Sequence, residues 1–200
     1  MSDIVLASNN AGKIAEFNDL FSGLNLNIIA QGTLGIGEAE ENADTFVENA
    51  LIKARHAAKA GGKAALADDS GLVVPALGGA PGVYSARYAG RHGDDAANNA
   101  KLLAELADSA AREAYFVCII AYLRHADDPL PIIAQGIWQG SIAHSVSGAN
   151  GFGYDPLFIP QGMNCSSAQL SPEEKNALSH RGQAMQSLMR QLHPLYAKES

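Results

Sequence analysis

The opening thirty residues constrain the fold most. Asp3-Ile4-Val5-Leu6-Ala7 is an apolar run of strand length, and Ser8-Asn9-Asn10-Ala11-Gly12 turns the chain into a segment with apolar residues at Ile14, Phe17, Leu20 and Phe21. Spacings of three and four put those residues on one face of a helix, and Leu26 to Ala30 is a second strand-like run. A strand-loop-helix-strand unit of this kind commits the chain to the α/β class. Thr45 and Glu48 then stand at capping-box spacing before an alanine-rich helix that stops at Gly61-Gly62. Ala64 to Asp69 and Leu72 to Val74 are two short apolar runs around Ser70-Gly71, the first read as a buried strand that ends at the Asp pair, followed by a glycine-rich loop over 78 to 82. A helix is expected from Asp94 to Leu106, and strands Tyr115 to Leu123 and Ile132 to Ile142 flank the turn Asp127-Asp128-Pro129 as a hairpin. After a second glycine-rich loop, Ser147 to Asp155, helical sequence runs from Pro172 to Ala197 with an interruption at Ser179 to Gly182. The predicted architecture is a mixed sheet with helices.

Charge and apolar patterning exclude several classes. Asp and Glu number 21 against 14 Lys and Arg, a formal net charge of −7. A polymer of phosphates is held by a basic face that releases its counterions, so DNA and RNA are not expected partners. A small anionic ligand needs only a local basic cluster or a bound metal. The longest apolar run, Phe116 to Leu123, is less than half the ~20 residues of a membrane span. No export signal is visible, and Cys118 and Cys165 form neither a CxxC nor a disulfide framework, so the expectation is a cytoplasmic protein with Cys118 a core residue.

Four places could carry chemistry. The first is Ser8-Asn9-Asn10-Ala11-Gly12-Lys13 between strand and helix, where backbone N–H groups, the positive end of a helix dipole and a mobile cation suit phosphate. It is neither a Walker loop nor a GxGxxG fingerprint, and a polar turn with a solvent lysine is the plainer reading. The second is acidic: Glu38, Glu40, Glu41, Asp44 and Glu48, with no Lys or Arg among them. Asp44 and Glu48 read as dipole compensation at a helix start, whereas Glu40 and Glu41 lie outside the helix. The third is Asp68-Asp69-Ser70-Gly71 at the end of a wholly apolar strand. Adjacent carboxylates there are expected to repel each other and lose hydration, raising one pKa unless a cation intervenes. Hard oxygen ligands and the lack of any zinc-type histidine spacing point to Mg²⁺, with Asp68 and Asp69 the candidate ligands. The fourth is Gly151-Phe152-Gly153-Tyr154-Asp155-Pro156, with Lys175, His180 and Arg181 downstream: aromatic faces for a base, and donors for carbonyl or phosphate oxygens.

Six blocks in order carry a resemblance over nearly the whole length: Ser8 to Lys13, Thr45 to Ala50 with Lys53-Ala-Arg55, Ala67 to Gly71, Gly78 to Gly82 with Tyr84 to Arg87, Gly151 to Pro156, and Ser179 to Gly182. The chain resembles the inosine/xanthosine triphosphate pyrophosphatases, which hydrolyse deaminated purine nucleoside triphosphates to the monophosphate and pyrophosphate. The resemblance implies a mixed, strongly twisted sheet with helical lobes and a nucleotide-binding cleft between them, Mg²⁺ as cofactor, and a homodimer. Residues 8 to 13 match the triphosphate-binding loop, and Asp69 matches the catalytic base and metal-associated residue. Glu40 or Glu41 matches the other metal ligand, the spacing to Thr45-Phe46 favouring Glu41. Ser70, Phe152, Gly153, Tyr154, Asp155, Lys175, His180 and Arg181 match substrate-contacting positions, and Lys53 a basic residue facing the phosphates. The family's first motif often reads Thr-Gly-Asn, from which Ser8-Asn9 is a mild departure.

Overall fold

The computed structural model describes residues 2–21 and 26–196. Six strands form one mixed sheet in the order β2-β1-β3-β4-β5-β6. The opening unit is β1 (Ser2–Leu6), α1 (Ala11–Phe21) and β2 (Leu26–Ala30), and it continues into α2 (Phe46–Gly61) and β3 (Ala64–Val73). Both β2 and β3 run parallel to β1, one on each side. The chain thus steps outward from β1 to β2 and back across to β3. Right-handed crossovers in opposite directions place α1 and α2 on opposite faces of these three strands. Phe17 and Phe21 of α1 are buried as their spacing predicts; the side chain of Leu20 lies outside the described residues.

Helix α2 starts where the capping signal placed it. Thr45 is the N-cap, its hydroxyl accepting the Glu48 N–H and donating to the Glu48 carboxylate at 2.6 Å. The buried face of α2 is alanine: Ala50, Ala54, Ala57 and Ala58. Such small side chains let the helix lie close to the sheet, where Ala57 and Ala58 pack with Val5, Ile36 and Ala65.

Beyond β3 come α3 (Asp95–Glu105), β4 (Glu113–Leu123), β5 (Ile132–Ile142), β6 (Phe158–Pro160), α4 (Pro172–Leu178) and α5 (His180–Tyr196). The Ile142 N–H donates to the Arg112 carbonyl, which sets the end of β5 against the start of β4 as a hairpin requires. Cys118 is buried in β4. The chain divides into two compact units: residues 1–69, 119–135 and 184–200 form one, and 70–118 and 136–183 the other. The second has its own core of Leu72, Leu102, Phe116, Trp138, Tyr154 and Phe158 among others.

Three expectations change. The strand does not end at Asp68-Asp69 but runs on to Val73, because Ser70-Gly71 stays extended between apolar segments that both pack inward. Strand β6 has no counterpart in the sequence reading. The interruption near 179–182 shrinks to Ser179 alone, extended at φ −64°, ψ 158°, and Gly182 lies inside α5, which is described to Tyr196; Ala197 falls outside the described residues.

Candidate active site

The order β2-β1-β3 reverses direction between β1 and β3, and loops leaving the carboxyl ends of strands at such a switch point are where open α/β sheets bind ligands. The pairing Leu6↔Leu66 sets the carboxyl end of β1 beside the middle of β3. The loop leaving β1 carries Ser8 to Lys13, and Asp68-Asp69 stand within β3 just beyond the paired Leu66. The first loop is ordered by its own side chains. Ser8 Oγ accepts the Asn10 N–H, Asn10 Oδ1 accepts the Lys13 N–H, and Asn9 Oδ1 accepts the Gly32 N–H at 2.9 Å. Ala11 and Gly12 occupy the first positions of α1, where N–H groups have no intrahelical acceptor.

Each carboxylate of the pair has its own lysine. Lys13 Nζ lies 2.8 and 2.9 Å from the two oxygens of Asp68, and Lys53 Nζ lies 3.2 Å from Asp69 Oδ1 and 2.6 Å from Glu41 Oε2. Lys13 comes from α1 and Lys53 from α2, helices on opposite faces. Successive side chains of a strand alternate between faces, so the pleat of β3 separates two carboxylates that the sequence reading sets against each other. Asp69 is nonetheless pushed up to about 6: burial is the largest cause, Lys53 opposes it, and the nearby Glu41 charge adds to it. The Asp68 charge is a lesser contribution. Burial would lower the Lys53 ammonium, but the carboxylates of Asp69 and Glu41 outweigh it and hold Lys53 above its ordinary value.

Both upstream glutamates are exposed, and Glu41 joins the cluster through Lys53. Asp69 Oδ2 is buried without a hydrogen-bond partner. Among the described residues no group of three or more His, Cys, Asp or Glu side chains comes together as a metal cage. Ser70 follows Asp69 in β3 and is half-buried.

In the second unit the 151–155 loop presents Phe152, 65% exposed, with Lys175 Nζ 4.8 Å and the Arg181 guanidinium 6.0 Å from its ring centre. Asp155 anchors the arrangement from below. It is buried, pairs with Lys175, and accepts the Phe152 N–H and the Ser167 hydroxyl, both at 2.8 Å. A Cβ on Gly151, which has φ +78°, would stand 2.1 Å from Asp155 Oδ2, so only glycine admits this pairing. Tyr154 does not share the aromatic role read from the sequence. Its ring is in the core and its hydroxyl donates to the Ser85 carbonyl at 2.9 Å. His180 opens α5 with its ring stacked on Phe116 at 4.8 Å.

Two residues at the start of α3, absent from the sequence reading, also meet this loop. Asp95 Oδ2 accepts the Gly153 N–H at 2.7 Å and Asn99 Nδ2 donates to the Gly153 carbonyl at 2.8 Å. In the sequence Asp95 looks like an ordinary acidic residue in a first helical turn, and nothing local ties it to a loop nearly sixty residues on.

Comparison with known proteins bears on the same residues. Residues 4–191 match the Ham1 family. Two dITP/XTP pyrophosphatases are 61% and 57% identical to the chain. One is from Acinetobacter baumannii strain ACICU, over 92% of this chain and 91% of the relative; the other is from Ralstonia nicotianae, over 96% and 97%. Among solved structures, a HAM1 protein from Coxiella burnetii superposes with a TM-score of 0.94 at 49% identity, covering 97% of this chain and all of that one. A nucleoside-triphosphatase / dITP/XTP pyrophosphatase from Mycobacterium abscessus gives 0.80 at 45%, covering 94% and 98%. With the family pattern spanning nearly every described element and the relatives matched along almost their full length, the chain belongs to the Ham1 family.

Proposed function

We propose that this chain hydrolyses non-standard purine nucleoside triphosphates, ITP, dITP and XTP, to the nucleoside monophosphate and pyrophosphate. The observation that carries the reading is Asp69: a half-buried carboxylate raised to about 6, one oxygen unpartnered and the other on Lys53, within β3 and in the same cluster of elements as the helix start that follows β1. The names of the close relatives support the same activity.

Mg²⁺ fits the residues present, since Asp69 Oδ2 and Glu41 are hard oxygen donors and this ion needs only one or two carboxylates when substrate phosphates fill the remaining positions. When bound it supplies charge neutralisation and orientation of the phosphate chain. Asp69, ionised above pH 6, takes a proton from the water that attacks the α-phosphorus. The bond to the bridging oxygen breaks and the electron pair leaves on pyrophosphate. Lys13 and the N–H groups of Ala11 and Gly12 hold that developing charge, and Lys53 keeps the Asp69 carboxylate oriented. In the second unit, Phe152 offers its face to the purine, while Lys175 and Arg181 stand over the same ring as donors. Hypoxanthine and xanthine present O6 as acceptor and N1–H as donor, and adenine reverses both. A site built on that pattern can discriminate by ~10⁴ because the wrong base leaves buried polar groups unpaired. We further propose a homodimer, which the family resemblance implies, and a cytoplasmic location, which the two free cysteines support. Among the described residues no helix is long and apolar enough to cross a membrane.

Product identification with Mg²⁺ tests the reading. ITP should give IMP and pyrophosphate, whereas IDP and orthophosphate would overturn the proposed bond, and a preference for modified pyrimidine triphosphates over ITP, dITP and XTP would overturn the substrate class.

A further inference from the structure

We infer that Asp95 and Asn99, in the first turns of α3, are positioning residues that set the purine platform by holding both the N–H and the C=O of Gly153, and with them the two peptide groups that flank it. The inference rests on the reading of Phe152 as that platform. Asp95 Oδ2 takes the Gly153 N–H at 2.7 Å, and Asn99 Nδ2 gives one hydrogen to the Gly153 carbonyl and the other to the Asp95 carbonyl, both at 2.8 Å. One backbone unit thus has both its donor and its acceptor tied to successive turns of one helix. Asn99 is 6% exposed, and its orientation is dictated by two carbonyl acceptors, which leave no alternative for its amide.

The clamp matters because of what Gly153 sits between. On one side, the Phe152 N–H is bound by Asp155, whose carboxylate also holds Lys175. On the other, Tyr154 is locked in the core through Ser85. Gly153 has φ +62° and open space where a Cβ would be, so its side-chain position restrains nothing. With Phe152 itself 65% exposed, packing does not hold its ring in place either. The hydrogen bonds to Asp95 and Asn99 therefore fix the outer half of the loop, and Asp155 the inner half. Asp95 also carries a charge at the amino end of α3, behind the N-cap Asp94, whose side chain accepts the Ala97 N–H. The test must therefore separate the hydrogen bond from the helix dipole.

Steady-state kinetics with ITP and Mg²⁺ on Asp95→Ala, Asp95→Asn, Phe152→Ala and the Asp95→Ala/Phe152→Ala double variant make that separation. Asp95 is exposed, so its variants keep the fold. Loss of one charged hydrogen bond that acts on binding should raise KM for Asp95→Ala roughly three- to tenfold with kcat within about twofold. Asp95→Asn keeps an acceptor without the charge and should restore KM. The double variant should have a KM no higher than Phe152→Ala, since the clamp acts through that ring. Amide exchange at Gly153 should quicken in Asp95→Ala even without nucleotide. An unchanged KM in Asp95→Ala, a KM in Asp95→Asn as high as in Asp95→Ala, additive effects in the double variant, or unchanged Gly153 exchange would each overturn the clamp while leaving the platform standing. An unchanged KM in Phe152→Ala would overturn the platform itself, and the clamp's function with it.

Discussion

Asp69 is where burial, charge and chemistry meet, and its environment makes consequences that can be measured. A base must be ionised to work, so kcat/KM should show an acid limb; burial raises metal-free Asp69 to about 6, and Mg²⁺ on the same carboxylate would draw the limb below that value. Lys53→Met removes the cation that opposes the rise and should carry this acid limb to higher pH; a pH-rate profile reads both. Asp69→Asn should cut kcat by roughly 10² or more with nucleotide binding largely kept, as measured by turnover and equilibrium titration. The linkage has the opposite sign from a stabilising carboxylate. Because the folded value of about 6 lies above the ordinary 3.8, the group's contribution to stability is full below pH 4 and is lost as pH rises through 6. Metal-free Asp69→Asn should therefore melt higher than the parent protein at pH 7 to 8, with the gain fading toward pH 4. Arg181→Ala should lower the ratio of kcat/KM for ITP over ATP, compared side by side. The Asp68-Asp69 pair was legible as a site because it closes the apolar run Ala64 to Ala67. The cause of its raised pKa was not, since mutual repulsion is the natural inference until the strand is seen to continue through both residues and turn them to opposite faces.

At the scale of elements, the glycines that touch other segments are the sensitive points. A Cβ on Gly182 would stand 1.9 Å from the Asn176 carbonyl oxygen, so α4 and α5 approach closely only because α5 has glycine one turn in. Gly182→Ala should lower stability by about 1–3 kcal/mol and raise KM, because His180 and Arg181 stand on that same first turn; denaturant melts and ITP kinetics check the two effects. Amphipathic spacing, the Thr45 cap and the alternating runs made α1, α2, α3 and the β4-β5 hairpin readable, each being specified by its own residues. Strand β6 was not, because three residues paired to β5 carry no periodicity of their own. Its only trace is in the partner strand, where a Cβ on Gly140 would stand 2.3 Å from the Ile159 carbonyl oxygen.

For the molecule as a whole, the charge of −7 runs against the basic face that a polyanionic polymer calls for but says little about a site in which acids and lysines are already matched. Asp68 has Lys13, and Lys53 serves Asp69 and Glu41 together. The fold therefore has internal cations where a divalent ion would otherwise be needed to hold the carboxylates together. Chelation with EDTA should abolish pyrophosphate release while the far-UV spectrum and the melting temperature stay near those of the Mg²⁺-loaded protein, and a collapse of the melt on chelation would assign the metal a structural role. The grip of α3 on Gly153 lay outside any sequence reading, because it joins residues far apart through backbone atoms, which leave no side-chain signature. The pleat of β3 has one more implication, for heredity. Which acid faces which helix is a matter of parity, so inserting or deleting one residue between Ala64 and Ala67 would exchange the two, while letter-for-letter changes there would not. A lineage of such enzymes is free to respell that stretch but not to lengthen it by one.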